Sequence, residues 1–405
     1  MGALSHIRVL DLSRVLAGPW ATQILGDLGA EIIKIEKPGE GDETRHFGPP
    51  FLKDKDGAKA DATYFLSANR NKKSVAIDLA NPEGAALVKR LARRAHVVVE
   101  NFKTGSLAKY GLDYKSLSAE NPALIYCSLT GFGHTGPYKD KAGYDYLIQG
   151  MAGLMSITGQ PDGAPGAEPM KVGVAVSDLL TGLYTTIAIL AAIVHQGQTG
   201  EGQEIDMALF DCQTAALANQ AANYLAGHMV PARLGNAHPN IVPYQVFATA
   251  DGFLILAVAN DAQFRRFCNA AGIEQLPGDA RFTTNSDRVQ HREILIPLLK
   301  PVFAARNTAE WIALLESANV PCGPINRVDQ VFADPQAIAR GLTISMAHAT
   351  GPLDLVASPI KLVKTPPDYR LPPPLLGEHT DEVLRDVLGL EADVLQSLRK
   401  QNIVA

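Results

Sequence analysis

Asp178 stands where the residue pattern changes period. Residues 171–196 read KVGVAVSDLLTGLYTTIAILAAIVHQ. Val172 to Val176 reads as a short buried strand, Ser177 as a helix cap, and Leu179 to Val194 as an almost wholly apolar helix buried in a core. A carboxylate in the first turn of such a helix meets N–H groups that lack intrahelical acceptors, and also the positive end of the helix dipole, worth about 0.3–1 kcal/mol. That setting keeps an aspartate ionised and leaves it well placed for chemistry. It is equally the ordinary start of a core helix, and the local pattern alone does not separate the two readings.

The other residues with chemical potential are cations and glycines. Lys37 and the pair Lys72/Lys73 lie at strand ends, where they would bind phosphate or form a solvated rim, and the same two readings apply to Arg14, Arg45, Arg70 and His238. GFGHTG, Gly131 to Gly136, matches G-x-G-x-x-G after a strand. A dinucleotide site needs a helix to open there, but Pro137 and the polar run YKDKAG follow instead, and no well-placed acidic residue awaits the ribose. The motif therefore reads as a loop over a site. No G-x-S-x-G elbow and no GxxxxGK[ST] phosphate loop is present.

The elements that must position these residues alternate in type. Ile7 to Leu12, Glu31 to Glu36, Lys73 to Asp78, His96 to Glu100 and Leu124 to Ser128 read as strands, with helices at Pro19 to Leu28 and Pro82 to Arg94, the latter capped by Asn81. Short strands apolar on both faces and separated by helices predict a doubly wound α/β domain with a parallel sheet. The rhythm fades after Gly200, with one more strand at Gln203 to Met207 and a helix from Phe210 to about Gly227. YQVFAT and FLILAVAN flank Asp251-Gly252 as a hairpin, and helices at 261–271, 288–305 and 309–318 complete a smaller α+β domain.

Composition narrows the function classes. Lys and Arg number 37 against 42 Asp and Glu, for a formal net charge of −5, and no basic stripe suited to nucleic acid is evident. Four dispersed cysteines, Cys127, Cys212, Cys268 and Cys322, give no metal-ligand spacing and fit buried thiols in a reducing compartment. MGALSHIRVLDL runs straight into a strand without the pattern of a signal peptide, and the apolar run at 179–194 is short and broken by Thr and Gly. A cytoplasmic protein with no membrane segment is the expectation.

Taken in order, RVLAGPWATQILGDLGAEIIKIEKPGEGDETR, SANRNKKSVAIDL, VENFKTGSLAKYGL, GFGHTGPY, AGYD, VSDLLTGLY, TGEGQEIDMALFD, VPCGPIN and PLLGEHTDEVL run nearly end to end. Together they resemble the class III CoA-transferase family, the formyl-CoA transferase and carnitine CoA-transferase group. RVLAGP, GDETR, HPNIVPYQVF and PPPLLGEHT lean toward its members that use dicarboxylic acids. The resemblance implies a Rossmann-like large domain built from both chain ends (1–205 and 335–405), a linker helix at 206–227, a small α+β domain at 228–334, and a homodimer of interlocked chains. It implies Asp178 as the covalent nucleophile and Tyr144 with Asp145 as an active-site loop pair. CoA contacts carried over are Val15, Ala17, Lys37, Ile77, Asn101, Phe102 and Lys109, with CoA entering as a thioester substrate and no resident cofactor or metal. The implied reaction moves CoA from a donor such as succinyl-CoA to a short dicarboxylic acid such as glutarate, with itaconate or a similar acid as the alternative. A distal carboxylate calls for a cation, for which Arg14, Arg45 and Arg70 are the candidates, with His238 as a polar neighbour. The related α-methylacyl-CoA racemases carry His where Tyr144 stands and Glu where Asn260 stands, so two-base proton transfer is disfavoured here. Formyl-CoA transferase carries Gln where Leu16 stands, which disfavours formate and oxalate chemistry.

Overall fold

Runs of Val, Ile and Leu that are apolar on both faces must be covered on both faces, and helices do this here. The computed structural model describes residues 2–405. In it β1 (Arg8–Asp11), β2 (Glu31–Glu36), β3 (Lys72–Ala76), β4 (Val97–Glu100), β5 (Ile125–Thr130) and β6 (Glu204–Ala208) form one parallel sheet in the order β3-β2-β1-β4-β5-β6. This is the Rossmann order, and the strand sequence reverses between β1 and β4, where ligands of such sheets bind beyond the carboxyl ends of the strands.

Alternation along the strands divides the core. Leu10, Ile33, Val75 and Val98 face α2 (Pro82–Ala92) on one side; the neighbours Val9, Ile32 and Val97 face the other, against α1 (Ala17–Asp27). Asn81 caps α2 as expected, its side chain accepting the Glu83 N–H at 2.9 Å. Next come α3 (Asp145–Met151), α4 (Val176–Thr199) and α5 (Leu209–Ala215). Ile189 and Ala192 of α4 join the second core.

Contacts group the chain into two units. The first holds everything up to Leu154, then Val172–Ala222 and Gln336–Ala405; the second holds Met155–Lys171 and Asn223–Pro335. Two details differ from the sequence expectation: residues 155–171 group with the second unit, and 206–227 is not one helix. Instead β6 completes the sheet edge, and α5 and a second short helix, Ala218–Leu225, follow.

The second unit is built on β7 (Tyr244–Ala248) and β8 (Phe253–Ala257), antiparallel around Asp251-Gly252, with α6 (Asp261–Ala271), α7 (Arg292–Ala304), α8 (Thr308–Ser317) and β9 (Cys322–Pro324). Phe247 stacks on Phe303 with centroids 4.4 Å apart, and Trp311 lies 4.8 Å from Phe303 while its ring N–H donates to the Phe303 carbonyl. Back in the first unit, α9 (Thr380–Leu388) and α10 (Ala392–Lys400) cover the first core with Val383, Leu384, Leu395 and Leu398.

Two expectations about the central stretch are corrected. Residues 172–175 form no strand: they have no sheet partner, and the Val172 N–H is held by the Gln149 side chain at 2.9 Å. Nor is α4 buried all round. One face packs on α1, but Leu183, Tyr184, Ile187 and Val194 are exposed, and the helix is long and apolar enough to cross a membrane by length and composition.

The α1–α4 contact is close because Gly182 has no side chain. A Cβ there would sit 2.8 Å from the Ala17 carbonyl oxygen and 3.0 Å from the Trp20 ring. Gly182→Ala gains about 1 kcal/mol of helix propensity but must push the helices apart, which costs about 1–3 kcal/mol. The expected outcome is a lower urea midpoint and reduced activity, because Asp178 lies one turn earlier on the same helix face. An unchanged midpoint would show that α4 shifts freely.

Candidate active site

The first turn of α4 is organised by a carboxylate from another element. Helix N-termini carry N–H groups in need of acceptors. Here the N-cap position is Ala175, which offers no side-chain oxygen, and Ser177 lies inside the helix rather than capping it. The Ser177 N–H donates instead to Asp145 Oδ1 at 2.8 Å, while Gln149 donates to Asp145 Oδ2 at 2.8 Å. Asp145 therefore caps α4 from the start of α3. The Ser177 hydroxyl donates to Gln213 of α5 at 2.9 Å, so three helices converge on this terminus.

Asp178, one residue on, is half-buried and lines a cleft of about 370 Å3 together with Tyr144 and Asp145. Burial, and then the negative charge of Asp145, push its carboxyl up to about 7. The firmly ionised carboxylate expected from the helix terminus is thus not what the surroundings produce. Desolvation outweighs the dipole, and the carboxylate formed above that pH is more basic, hence more nucleophilic, than one in water.

Tyr144 itself is 71% exposed at the rim. Its loop is fixed by Gly131 and Gly143, whose backbones touch: a Cβ on Gly131 would lie 2.4 Å from the Gly143 Cα. The glycines of GFGHTG and AGYD thus serve close packing of two chain segments. No helix follows GFGHTG until α3, in keeping with the reading against a dinucleotide site.

The opposite wall is the turn after β1. Val15 has φ of 68°, a left-handed conformation that is costly for a β-branched residue. Its N–H is held by both oxygens of Asp42, at 3.2 and 3.3 Å. Asp42 also accepts from Lys34 at 2.9 Å, an ion pair with both side chains fully buried. Burial alone would raise the Asp42 carboxyl; Lys34 and the Thr44 donors outweigh it and hold it at about 2. Lys34 donates in addition to the Ser13 carbonyl, and Ser13 to Asp11, which pairs with buried Lys72 at 3.1 Å. Burial, opposed by Asp11, brings the Lys72 amine down to about 8. On the other side of the turn, Asn101 clamps Arg14 through its backbone, accepting its N–H at 2.9 Å and donating to its carbonyl at 2.7 Å.

The residues carried over for CoA divide between two clefts. Val15, Ala17, Asn101 and Phe102 line the cleft of Asp178; Lys37 and Ile77 line a neighbouring one of about 350 Å3. Phe102 lines both, as do Arg14 and Glu43. Lys37 is exposed and pairs with Glu40 at 2.6 Å. Lys109 lies over the ring of Tyr110, which lines the second cleft.

Of the cations considered for a distal carboxylate, the structure brings only Arg14 to the wall of the Asp178 cleft. Arg45 is buried against Glu36 and Asp61, and Arg70 against Asp27 at 2.5 Å, each in its own ion pair. His238 belongs to the second unit, beside Tyr244; burial, then Arg292, lower its pKa, so it is neutral near pH 7. Sequence reasoning passed over Glu43, Lys103, Lys139 and Lys141 on the cleft wall. In the sequence the lysines of YKDKAG argue only against a helix. It also passed over Tyr64, whose half-buried phenol is raised first by burial and then by the charges of Asp178, Asp145 and Asp42. Nothing in the surrounding sequence marks Tyr64, because a separate hairpin (Phe51–Lys53 with Lys59–Ala62) delivers it.

Comparison with known proteins fits this geometry. The family model for CoA-transferase family III matches residues 4–380. The chain is 54% identical to succinate–glutarate CoA-transferase of Agrobacterium fabrum, over 96% of both chains. It is 42% identical to human succinyl-CoA:glutarate CoA-transferase, over 99% of this chain and 90% of that one. Among solved structures, a CAIB/BAIF family protein from Brucella suis superposes with a TM-score of 0.84 at 48% identity, covering 95% of this chain and 99% of that one. An aspartate at a helix terminus, facing a clamped turn at the switch point of a parallel sheet, is thus found in a chain that belongs to CoA-transferase family III.

Proposed function

We propose that this enzyme moves CoA from succinyl-CoA to a short dicarboxylic acid such as glutarate, with Asp178 as the covalent nucleophile. The observation that carries the reading is Asp178 itself: a carboxylate with a raised pKa, facing a cleft whose neighbour extends toward Lys37. The substrates follow from the names of the two relatives above. Val15, Ala17, Asn101 and Phe102 then guide the thioester arm, and Lys37, Ile77 and Lys109 the nucleotide end. CoA arrives as substrate, and no resident cofactor takes part.

The reaction proceeds by exchange at two carbonyls. The Asp178 carboxylate attacks the succinyl thioester carbonyl; the C–S bond breaks, giving a succinyl–aspartyl anhydride and CoA thiolate. The thiolate attacks the aspartyl carbonyl, releasing succinate that carries one aspartate oxygen and leaving an aspartyl-CoA thioester. Glutarate attacks that thioester, and the same steps in reverse deliver glutaryl-CoA and restore Asp178. One thioester replaces another, so the protein's task is to bring the groups together and exclude water from the anhydride. The Tyr64 phenol, raised first by burial and then by the charges of Asp178, Asp145 and Asp42, stays neutral beside this chemistry.

The exposed apolar face of α4 supports a homodimer of interlocked chains, since Leu183, Tyr184, Ile187 and Val194 need cover. Sedimentation as a lone chain would rule this out. The free cysteines are consistent with a cytoplasmic location.

A panel of C4 to C6 mono- and diacids with succinyl-CoA as donor should yield glutaryl-CoA among the best products, and Asp178→Ala should lose transfer by orders of magnitude while still binding CoA. Transfer surviving in that variant would refute a covalent role.

The pH profile gives a separate check. Because only the ionised Asp178 attacks, kcat/KM for succinyl-CoA should be flat above about 7. Below it the value should fall about tenfold per pH unit. Asp145→Asn keeps an oxygen for the Ser177 N–H but removes the charge that raises Asp178, so the inflection should move to lower pH. An inflection that stays in place would mean that Asp145 does not act on Asp178 electrostatically.

A further inference from the structure

The ion pair between Arg14 and Glu43 stands at the junction of the two clefts, both residues lining each. The Arg14 guanidinium also lies 4.9 Å from the centroid of the Phe102 ring. The side chains are 41% and 44% exposed, in contrast to the buried pairs of Lys34, Arg45, Arg70 and Lys72. The contact is one-pronged: Arg14 Nη1 meets Glu43 Oε1, while Arg14 Nε and Glu43 Oε2 are enclosed without a partner. A guanidinium satisfies a carboxylate best through two parallel N–H···O bonds, and this pair leaves that capacity unused on both sides.

We propose that Glu43 is a built-in competitor that occupies Arg14 in place of a substrate carboxylate, so that an acyl group with a free distal carboxylate reaches Arg14 by displacing it. The inference rests on the CoA-transferase reading and deepens it. Three observations favour exchange. Arg14 is anchored through its backbone by Asn101 and by the turn at Val15, so its head group can change partner without moving the chain. Glu43 sits at the start of a short helical turn fixed by Asp42, which accepts the Thr44 N–H and hydroxyl, leaving the Glu43 side chain untethered except to Arg14. A half-exposed pair of this kind is weakly held, so a carboxylate offering two-pronged geometry outcompetes it. An acyl group without a distal carboxylate makes no such swap, so Glu43 lowers the affinity for diacids alone, and any preference for them comes from Arg14.

Glu43→Gln preserves shape and removes the competing charge. The expected result is a KM for glutarate about three- to fivefold lower, the range set by the strength of an exposed ion pair, with no change for valerate as the monoacid control. Arg14→Gln should raise the glutarate KM at least tenfold, and adding Glu43→Gln to it should then have no further effect. Melting curves of each variant establish that it is folded. A glutarate KM unmoved by Glu43→Gln, or one that moves together with that for valerate, would overturn the proposal while leaving the CoA-transferase reading intact. Absence of transfer to any acid by the unaltered enzyme would overturn both.

Discussion

The hydrogen bond from the Ser177 N–H to Asp145 is the contact on which the site depends. It sets where α4 begins, and so where Asp178 projects. It also places a second negative charge near Asp178, which together with burial holds that carboxyl at about 7. The capping aspartate is itself placed by a glycine-on-glycine contact: the AGYD loop reaches α4 because Gly143 lies directly against Gly131. A methyl group at either position would meet backbone, so the placement of Asp145 depends on two missing side chains twelve residues apart. α4 in turn stays in register because Gly182 lets it lie close to α1.

The facing wall obeys a different constraint. Buried ion pairs seldom out-stabilise well-packed apolar side chains, yet losing one partner of such a pair costs about 3–5 kcal/mol. The chain from Lys72 through Asp11, Ser13 and Lys34 to Asp42 is therefore rigid more than it is stabilising. Its end product is the left-handed Val15, whose N–H is directed at Asp42. One residue either side of this network, at Arg14 and Glu43, the ion pair is half-exposed.

Much of this was legible in the sequence, for physical reasons that can be named. Inner strands such as Arg8–Asp11, Glu31–Glu36 and Val97–Glu100 show as short runs of Val, Ile and Leu, and Asn81 shows as a cap, because burial on both faces and helix capping are local signals. Ser177 misled because a Ser before an acidic residue and an apolar run imitates a cap, while the true acceptor, Asp145, lies 32 residues earlier. The run Val172–Val176 has strand composition but no neighbouring strand to pair with. Arg45 and Arg70 look like Arg14 in sequence; only the fold reveals that Glu36, Asp61 and Asp27 already hold the first two. Glu43 was invisible as a site residue because its meaning comes entirely from its partner.

The central claim is that Asp178 exchanges its own oxygen with the substrates. It is tested most directly by running the enzyme with succinyl-CoA and glutarate whose carboxylates carry heavy oxygen, then reading both the released succinate and the peptide containing Asp178 by mass spectrometry. Passage through the anhydride and the aspartyl thioester predicts heavy oxygen in the Asp178 side chain after one turnover and in succinate after the next. Glutaryl-CoA formed at full rate, with neither Asp178 nor succinate labelled, would contradict the account.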